Sequence, residues 1–124
     1  MITILKENKS KEIEAFFEKN EKSCPPDDAI IFVSREKDEI LAAGTLVLKN
    51  YKVFLETAFV DKSLGDDKVL LNGLAKSLLN FADLRGIKTV YGDNPELSEL
   101  YKMLRFIKNE TYELSLKDYF TCEH

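Results

Sequence analysis

A long amphipathic segment, residues 68–85, most strongly limits the folds that this chain can adopt. Its apolar side chains recur at the spacing of one helix face for about five turns: Leu70, Leu71, Leu74, Ala75, Leu78, Leu79 and Ala82. Gly86 follows as a predicted C-terminal cap, and residues 89–91 form a short strand candidate. Because a crossover joins the strand before this helix to the strand after it, the two strands are expected to pair in parallel.

The segment before the long helix is typical of an antiparallel meander. Runs of β-branched and other apolar residues at 29–34, 40–48 and 51–60 are separated by short polar turns. Short turns join antiparallel neighbours, so these three strands should pair in sequence order. Ahead of them, residues 3–5 are a further strand candidate, and a helix capped by Ser10 is predicted.

The segment after residue 91 supplies one more helix and a hairpin. Asn94 and Pro95 are a predicted cap and first residue of a helix whose inner face carries Leu97, Leu100, Tyr101 and Leu104. Residues 106–108 and 111–116 are predicted to form the hairpin. The order β-α-βββ-α-β-α-ββ predicts a mixed α/β sheet in a single domain over residues 1–124. Where the meander meets the parallel crossover, neighbouring strands can splay into a cleft that suits an anionic ligand.

Composition and charge narrow the classes of function. The chain has 124 residues and a net charge of −4, with lysines and acidic residues interspersed, which argues against nucleic acid as a partner. The apolar opening from Met1 to Leu5 is too short for a signal peptide or a membrane span, so we expect a cytoplasmic protein without a membrane partner. Cys24 and Cys122 form no CxxC pair and His124 is the sole histidine, so no metal cofactor is expected.

The sequence from Asn94 to Phe106 resembles the fourth-helix motif of the GNAT superfamily of acyl-CoA-dependent N-acyltransferases. That motif is an Asn, a Tyr seven residues later and a Leu-Gly-Phe ending. Asn94, Tyr101, Leu104 and Phe106 hold these places, and Arg105 replaces the glycine. If the chain needs a left-handed residue there, the replacement costs about 1 kcal/mol.

The strand before the long helix carries a second similarity. Its sequence Leu55-Glu56-Thr57-Ala58-Phe59-Val60 is similar to a stretch of polyamine-type members of the same superfamily. The resemblance extends over roughly residues 30–116 and implies a GNAT-like fold with a splayed central cleft. It also implies an enzyme that transfers the acetyl group of acetyl-CoA to an amine by direct attack. The residues agree with direct attack, because no Cys-His or Ser-His pairing is recognisable in the sequence.

The resemblance implies two catalytic side chains. Tyr101 would be the general acid at the CoA sulfur, since a phenol is protonated at neutral pH. From its place on an apolar helix stripe alone, Tyr101 is equally explained as a core residue. Glu56 is the candidate base, and we expect it to share a strand face with apolar Phe54, Ala58 and Val60, which would favour proton acceptance. The alternative for Glu56 is a solvent-facing carboxylate or one paired with a lysine.

The resemblance also implies which residues bind acetyl-CoA, the expected co-substrate. They are the strand backbone, the first turn of the long helix and a helix-capping amide: Phe59, Val60, Lys68, Val69, Leu70, Leu71 and Asn94. An Asn before a Pro is also an ordinary helix cap, so Asn94 has both explanations.

The loop before the long helix departs from the family pattern. The phosphate-binding signature of the family has two glycines that are not both present between residues 65 and 73. Asp66 and Asp67 stand there instead, and each would repel a phosphate by about 1 kcal/mol at 4 Å in water. We therefore expect weakened CoA affinity. The alternative functions are a non-catalytic acyl-CoA-binding or regulatory module, and a subunit that completes a partner's site.

The chain lacks part of the structure that shapes the amine-acceptor site in the family. The second N-terminal helix of the family is mostly replaced by a loop that contains Pro25 and Pro26. The acceptor pocket is therefore expected to be open or completed by a second subunit, and a homodimer is a candidate assembly. The acceptor itself is predicted to be a small-molecule or protein amine.

Overall fold

A seven-stranded sheet forms the centre of the molecule. The computed structural model describes residues 1–117 and 119–120. The strands are β1 (Ile2–Glu7), β2 (Ile30–Glu36), β3 (Glu39–Lys49), β4 (Lys52–Val60), β5 (Thr89–Gly92), β6 (Ile107–Lys108) and β7 (Tyr112–Ser115). The helices are α1 (Lys11–Lys19), α2 (Lys68–Leu84) and α3 (Ser98–Met103), with 3-10 turns at Lys62–Leu64 and Pro95–Leu97. The sheet order is β1-β2-β3-β4-β5-β7-β6, which confirms the predicted mixed sheet and its order of elements.

The two faces of the sheet are covered by different helices. The apolar stripe of α2 packs on one face, with Leu74, Leu78 and Leu79 fully buried. Helix α1 covers the other face, where Phe16 and Phe17 contact Phe59 with ring centroids 5.3 and 5.0 Å apart. None of the described helices combines the length and the apolar character needed to cross a membrane.

The strand β4 contains a β-bulge at Glu56. Thr57 pairs with Thr45 of β3, whereas Leu55 pairs with the next β3 residue, Leu46, so Glu56 is the extra residue. The bulge reverses the alternation of side chains, because both Leu55 and Ala58 pack under α2. The expectation that Glu56 shares a face with Ala58 and Val60 is therefore wrong. Of the three expected neighbours, only Phe54 lies on the same face as Glu56.

Each α-helix that the structure describes is followed by one residue in the left-handed region. These residues are Glu21, Gly86 and Arg105, with φ of 61°, 81° and 73°. After α3, the Arg105 amide donates to Lys102 O at 3.0 Å and the Phe106 amide donates to Tyr101 O at 2.9 Å, which is a Schellman motif. Arg105 thus holds the left-handed position at which helices most often have a glycine.

Replacing Arg105 with glycine should stabilise the protein. A left-handed conformation strains any residue with a Cβ, and glycine removes that strain, so we expect the free energy of unfolding to rise by about 1 kcal/mol. Urea denaturation measures the change. The matched control is Gly86→Ala, which introduces the same strain after α2 and should lower the free energy of unfolding by about 1 kcal/mol. A destabilising effect of Arg105→Gly would contradict this, because it would mean that the Arg105 side chain stabilises the protein by more than the left-handed backbone strain destabilises it.

Candidate active site

The strands β4 and β5 separate soon after they meet. Their parallel register joins Val53 to Val90 and Phe54 to Tyr91. Beyond these pairs, side chains bridge the gap in place of backbone hydrogen bonds. The Tyr101 hydroxyl donates to Leu55 O at 2.7 Å, and Nδ2 of Asn94 donates to Glu56 O at 2.9 Å. The bulge and these two bridges hold the strands apart, which creates the predicted cleft.

Asn94 is a helix cap, one of the two explanations that the sequence left open, and it also bridges to β4. Its Oδ1 accepts a hydrogen bond from the Glu96 amide at 3.0 Å and so caps the 3-10 turn before α3. Its Nδ2 reaches β4 at the cleft, and its backbone amide donates to the Tyr101 hydroxyl at 3.3 Å. A single side chain therefore links the start of α3 to the bulge.

Tyr101 is fully buried beside the point where β4 and β5 separate. Its ring packs against Phe106 and Tyr112, with centroids 5.0 and 4.9 Å away, and against the bare backbone of Gly92. Burial raises the pKa of Tyr101 above its ordinary value, so the hydroxyl is protonated at neutral pH. That is the state required of an acid, but the proton is engaged with Leu55 O in the protein alone.

Glu56 lies in a charged environment. Lys49 Nζ is 3.0 Å from Glu56 Oε1 and 3.1 Å from Asp93 Oδ2, and it sits 4.3 Å from the centroid of the Phe54 ring. Of the three surroundings considered for Glu56, which were apolar neighbours, solvent and a lysine pair, the lysine pair is observed. Sequence reasoning missed Lys49 and Asp93, because the bulge that brings Glu56 to them depends on the pairing of β3 with β4.

A cavity of about 370 Å³ lies between the end of β4, from Ala58 onward, and the start of α2. It is lined by the end of β4, by the loop before α2 and by α3. Among the predicted cofactor-binding residues, Phe59, Val60, Lys68 and Leu71 line it. Val69 does not: its side chain is 86% exposed and lines an adjoining groove of about 750 Å³ together with Lys68, Lys76 and Arg105.

The first turn of α2 keeps free amides. Asp67 caps the helix, and its Oδ1 accepts from the Leu70 amide at 3.0 Å. Leu70 is also buried, so it offers neither its side chain nor its amide to the cavity, and this part of the prediction is not supported by the structure. The amides of Lys68 and Val69 have no acceptor among the residues that the structure describes, as expected for the first positions of a helix.

The loop that shapes the cavity is held by a buried carboxylate. Asp61 directly follows β4 and is 4% exposed. It accepts hydrogen bonds from the Ser63 hydroxyl and amide and from Asn20 Nδ2 at 3.0 Å, and it pairs with Lys19 Nζ at 3.1 Å. The Ser63 hydroxyl is the main cause that lowers the pKa of Asp61 far below its ordinary value, despite the opposing effect of burial. The folded state therefore stabilises the charged form of Asp61.

Acid should remove the stabilisation that Asp61 provides. Because its pKa is lower in the folded state, the carboxylate stabilises the protein above the unfolded-state pKa of about 4, and the contribution is lost as the pH falls below that value. We expect Asp61→Asn to cost about 2 kcal/mol near neutral pH, and much less in acid. Urea denaturation as a function of pH measures this. Asp66→Asn, an exposed control in the same loop, should change the free energy of unfolding by less than about 0.5 kcal/mol. An Asp61→Asn effect that is constant across the pH range would contradict the account.

A second cavity, of about 460 Å³, lies on the other side of β4. Four carboxylates and two lysines line it: Glu21, Lys22, Lys49, Glu56, Asp93 and Glu96. Glu96 also lines the first cavity, so the two cavities adjoin at the start of α3. The described residues contain no group of three or more His, Cys, Asp or Glu side chains arranged to hold a metal ion.

Solved structures with the same architecture are numerous, although no protein-family model and no curated protein matches the sequence. The ribosomal-protein-S18-alanine N-acetyltransferase of Escherichia coli superposes with a TM-score of 0.69 at 16% identity, over 88% of this chain and 79% of that one. An N-acetyltransferase of Staphylococcus aureus gives 0.68 at 16% identity, over 91% and 93%.

A third structure was determined with a ligand. It is a GNAT family acetyltransferase of Elizabethkingia anophelis with acetyl-CoA bound, which gives a TM-score of 0.61 at 15% identity over 87% of this chain and 77% of that one. The sheet order, the splayed strands β4 and β5 and these superpositions agree with the resemblance found in the sequence. The chain has the fold of the GNAT acetyltransferases.

Proposed function

We propose that the protein is an N-acyltransferase that moves the acetyl group of acetyl-CoA to a primary amine. The observation that carries the proposal is the cleft between β4 and β5. The cavity beside it runs along the end of β4 from Lys68, at the start of α2, to Glu96. There a second, polar cavity, which Glu56 lines, adjoins it. A thioester and an amine can thus approach each other from opposite sides of one strand, which is the positioning that direct acyl transfer requires.

The start of α2 fits the phosphates of CoA. The amides of Lys68 and Val69, for which the described residues offer no acceptor, lie at the start of a 17-residue helix whose N-terminus carries partial positive charge. The charges of Lys68, Lys76 and Arg105 surround the adjoining groove. They oppose the repulsion from Asp66, whose carboxylate is 3.9 Å from Lys68 Nζ. We therefore propose that CoA binds more weakly than it would to a loop with two glycines. Arg105→Gly should weaken CoA binding further, although it stabilises the fold.

The cleft residues fit the proton transfers of this reaction. Bound acetyl-CoA supplies the activated acyl group. Glu56 would accept the proton that an incoming ammonium must lose, with Asn94 fixing the bulge that presents it. The protonated Tyr101 hydroxyl would turn from Leu55 O to the departing sulfur. These two roles are proposals that rest on the placement of the side chains at the point where the strands separate.

One observation favours a second function, a non-catalytic acyl-CoA-binding or regulatory module. In the protein alone, the Tyr101 hydroxyl is bonded to Leu55 O and Glu56 is paired with Lys49. Both groups must give up a partner before they can act on a substrate. A binding module would need the cavity but neither of these rearrangements.

A turnover assay separates the two functions. The release of CoA thiol is measured with acetyl-CoA and a panel of primary amines, both small molecules and peptides. The transferase predicts turnover with at least one amine, and Glu56→Gln should reduce kcat/KM by about 100-fold. The control Glu110→Gln changes an exposed carboxylate in the β6–β7 turn and should leave kcat/KM unchanged. Acetyl-CoA binding without turnover on any amine would favour the binding module.

A further inference from the structure

Lys49 Nζ lies across the mouth of the cleft. Glu56 belongs to β4, and Asp93 directly follows β5, yet both carboxylates contact the same ammonium, at 3.0 and 3.1 Å. The ring of Phe54 covers it from a third side. The ammonium therefore occupies the place where the two strands separate, on the side of the polar cavity.

The amine of Lys49 is the one that touches the proposed base. The other lysine of the same cavity, Lys22, pairs with exposed Glu96 at 3.0 Å and lies near the Phe59 ring. Lys52, the first residue of β4, lies over the Tyr91 ring at 4.9 Å and is exposed. Proximity to Glu56 thus distinguishes Lys49 from both neighbours.

We infer that Lys49 is a modification site, and that the protein acetylates its own Lys49 Nζ when acetyl-CoA fills the cleft. The inference rests on the proposed function. Glu56 takes one proton from the ammonium, and the nitrogen lone pair forms the new N–C bond to the thioester carbonyl. The C–S bond breaks with its electron pair on sulfur. Of the two protons that leave nitrogen, one is released to water through Glu56, and the sulfur ends with one proton as the thiol of free CoA.

Acetylation of Lys49 would change the net charge of the second, polar cavity. The cavity is lined by Glu21, Glu56, Asp93 and Glu96 against two lysines, Lys22 and Lys49. Loss of the Lys49 charge leaves Glu56 and Asp93 without their shared ammonium, and both then face the cavity unpaired. The modified protein should bind an external cationic amine more tightly than the unmodified protein, because two unpaired carboxylates become available to it.

The unmodified ammonium is favoured at neutral pH. Burial lowers the pKa of Lys49, but the hydrogen bonds to Glu56 and Asp93 outweigh it and raise that pKa. The remaining charged groups of the cavity, Glu21, Glu96 and Lys22, include more acidic than basic side chains and do not oppose this. Self-acetylation is therefore expected to be slow at neutral pH and faster in mildly alkaline buffer.

The test uses the full chain with acetyl-CoA in mildly alkaline buffer, followed by peptide mapping by mass spectrometry. Lys49 should gain one acetyl group at a rate that saturates with acetyl-CoA and does not depend on protein concentration. It should react at least about 100-fold faster than the control Lys52. Urea-unfolded chain should label both residues equally. Lys49→Arg keeps a cation beside the two carboxylates, so it should fold normally and lose the label.

A calorimetric titration of acetyl-CoA in the same buffer separates the two ways of failing. Binding without preferential labelling of Lys49, or with the label on Lys22 instead, overturns the inference and leaves the proposed function standing. Absence of binding overturns both.

Discussion

Gly92→Ala should destabilise the protein by about 3 kcal/mol, the largest effect expected of a one-carbon change in this chain. A Cβ at Gly92 would lie 2.3, 2.4 and 2.8 Å from carbon atoms of the Tyr101 ring. The ring has no room to retreat, because Phe106 and Tyr112 pack against it and its hydroxyl is bonded to Leu55 O. Either the ring or β5 must move, and both belong to the cleft. Urea denaturation measures the loss.

A second glycine provides the matched control. A Cβ at Gly73, within α2, would meet only Ile4 Cδ1 at 3.6 Å, which is ordinary contact. Gly73→Ala should therefore stabilise the protein by about 0.5–1 kcal/mol through helix propensity. The double change Gly92→Ala with Tyr101→Leu should cost less than the sum of the single changes, since both act on one contact. A Gly92→Ala protein as stable as the wild type would refute the packing described for Tyr101.

Tyr101→Phe should lower both stability and turnover. The change removes the hydroxyl that bridges β4 and the start of α3, and it leaves the buried carbonyl of Leu55 without that donor. We expect a loss of about 1–3 kcal/mol in the free energy of unfolding. If the hydroxyl also protonates the departing sulfur, kcat should fall by about 100-fold with acetyl-CoA affinity nearly unchanged.

The neighbouring Tyr112 controls for the loss of a phenol as such. Its ring packs on Tyr101 at 4.9 Å, but its hydroxyl takes no part in the bridge across the cleft. Tyr112→Phe should change stability by less than about 0.5 kcal/mol and leave turnover unaffected. A Tyr101→Phe protein that is less stable but retains full kcat would show that the hydroxyl is purely structural and would end the proposal that it acts as the acid.

The periodic parts of the fold were predictable from sequence. The long stripe of α2 and the alternating strands follow directly from burial of one helix face and of both sheet faces, so the element order and the parallel joint between β4 and β5 are confirmed. The spacing from Asn94 to Tyr101 is observed as a hydrogen bond from the Asn94 amide to the Tyr101 hydroxyl, while the roles of both residues toward acetyl-CoA stay predictions. Their hydrogen bonds to adjacent carbonyls of β4 explain in physical terms why that spacing matters.

The surroundings of Glu56 were not predictable in the same way. An isolated strand pattern has a period of two, whereas the bulge adds a residue that only the register with β3 reveals. The same shift brings Lys49 and Asp93 to Glu56. The start of α2 shows a similar limit. The sequence shows an acidic residue at Asp67, but not that its side chain takes the Leu70 amide and leaves the amides of Lys68 and Val69 without an acceptor among the described residues.

An NMR titration of the isotopically labelled 14.2 kDa protein with acetyl-CoA tests the cleft most directly. We predict the largest amide shifts at residues 58–60, at the start of α2 with Lys68 and Val69 foremost, and along residues 96–103. The amide shifts of β1, on the far edge of the sheet, should not change. Shifts that cluster elsewhere, or none at millimolar ligand, would contradict binding of an acyl-CoA between β4 and β5.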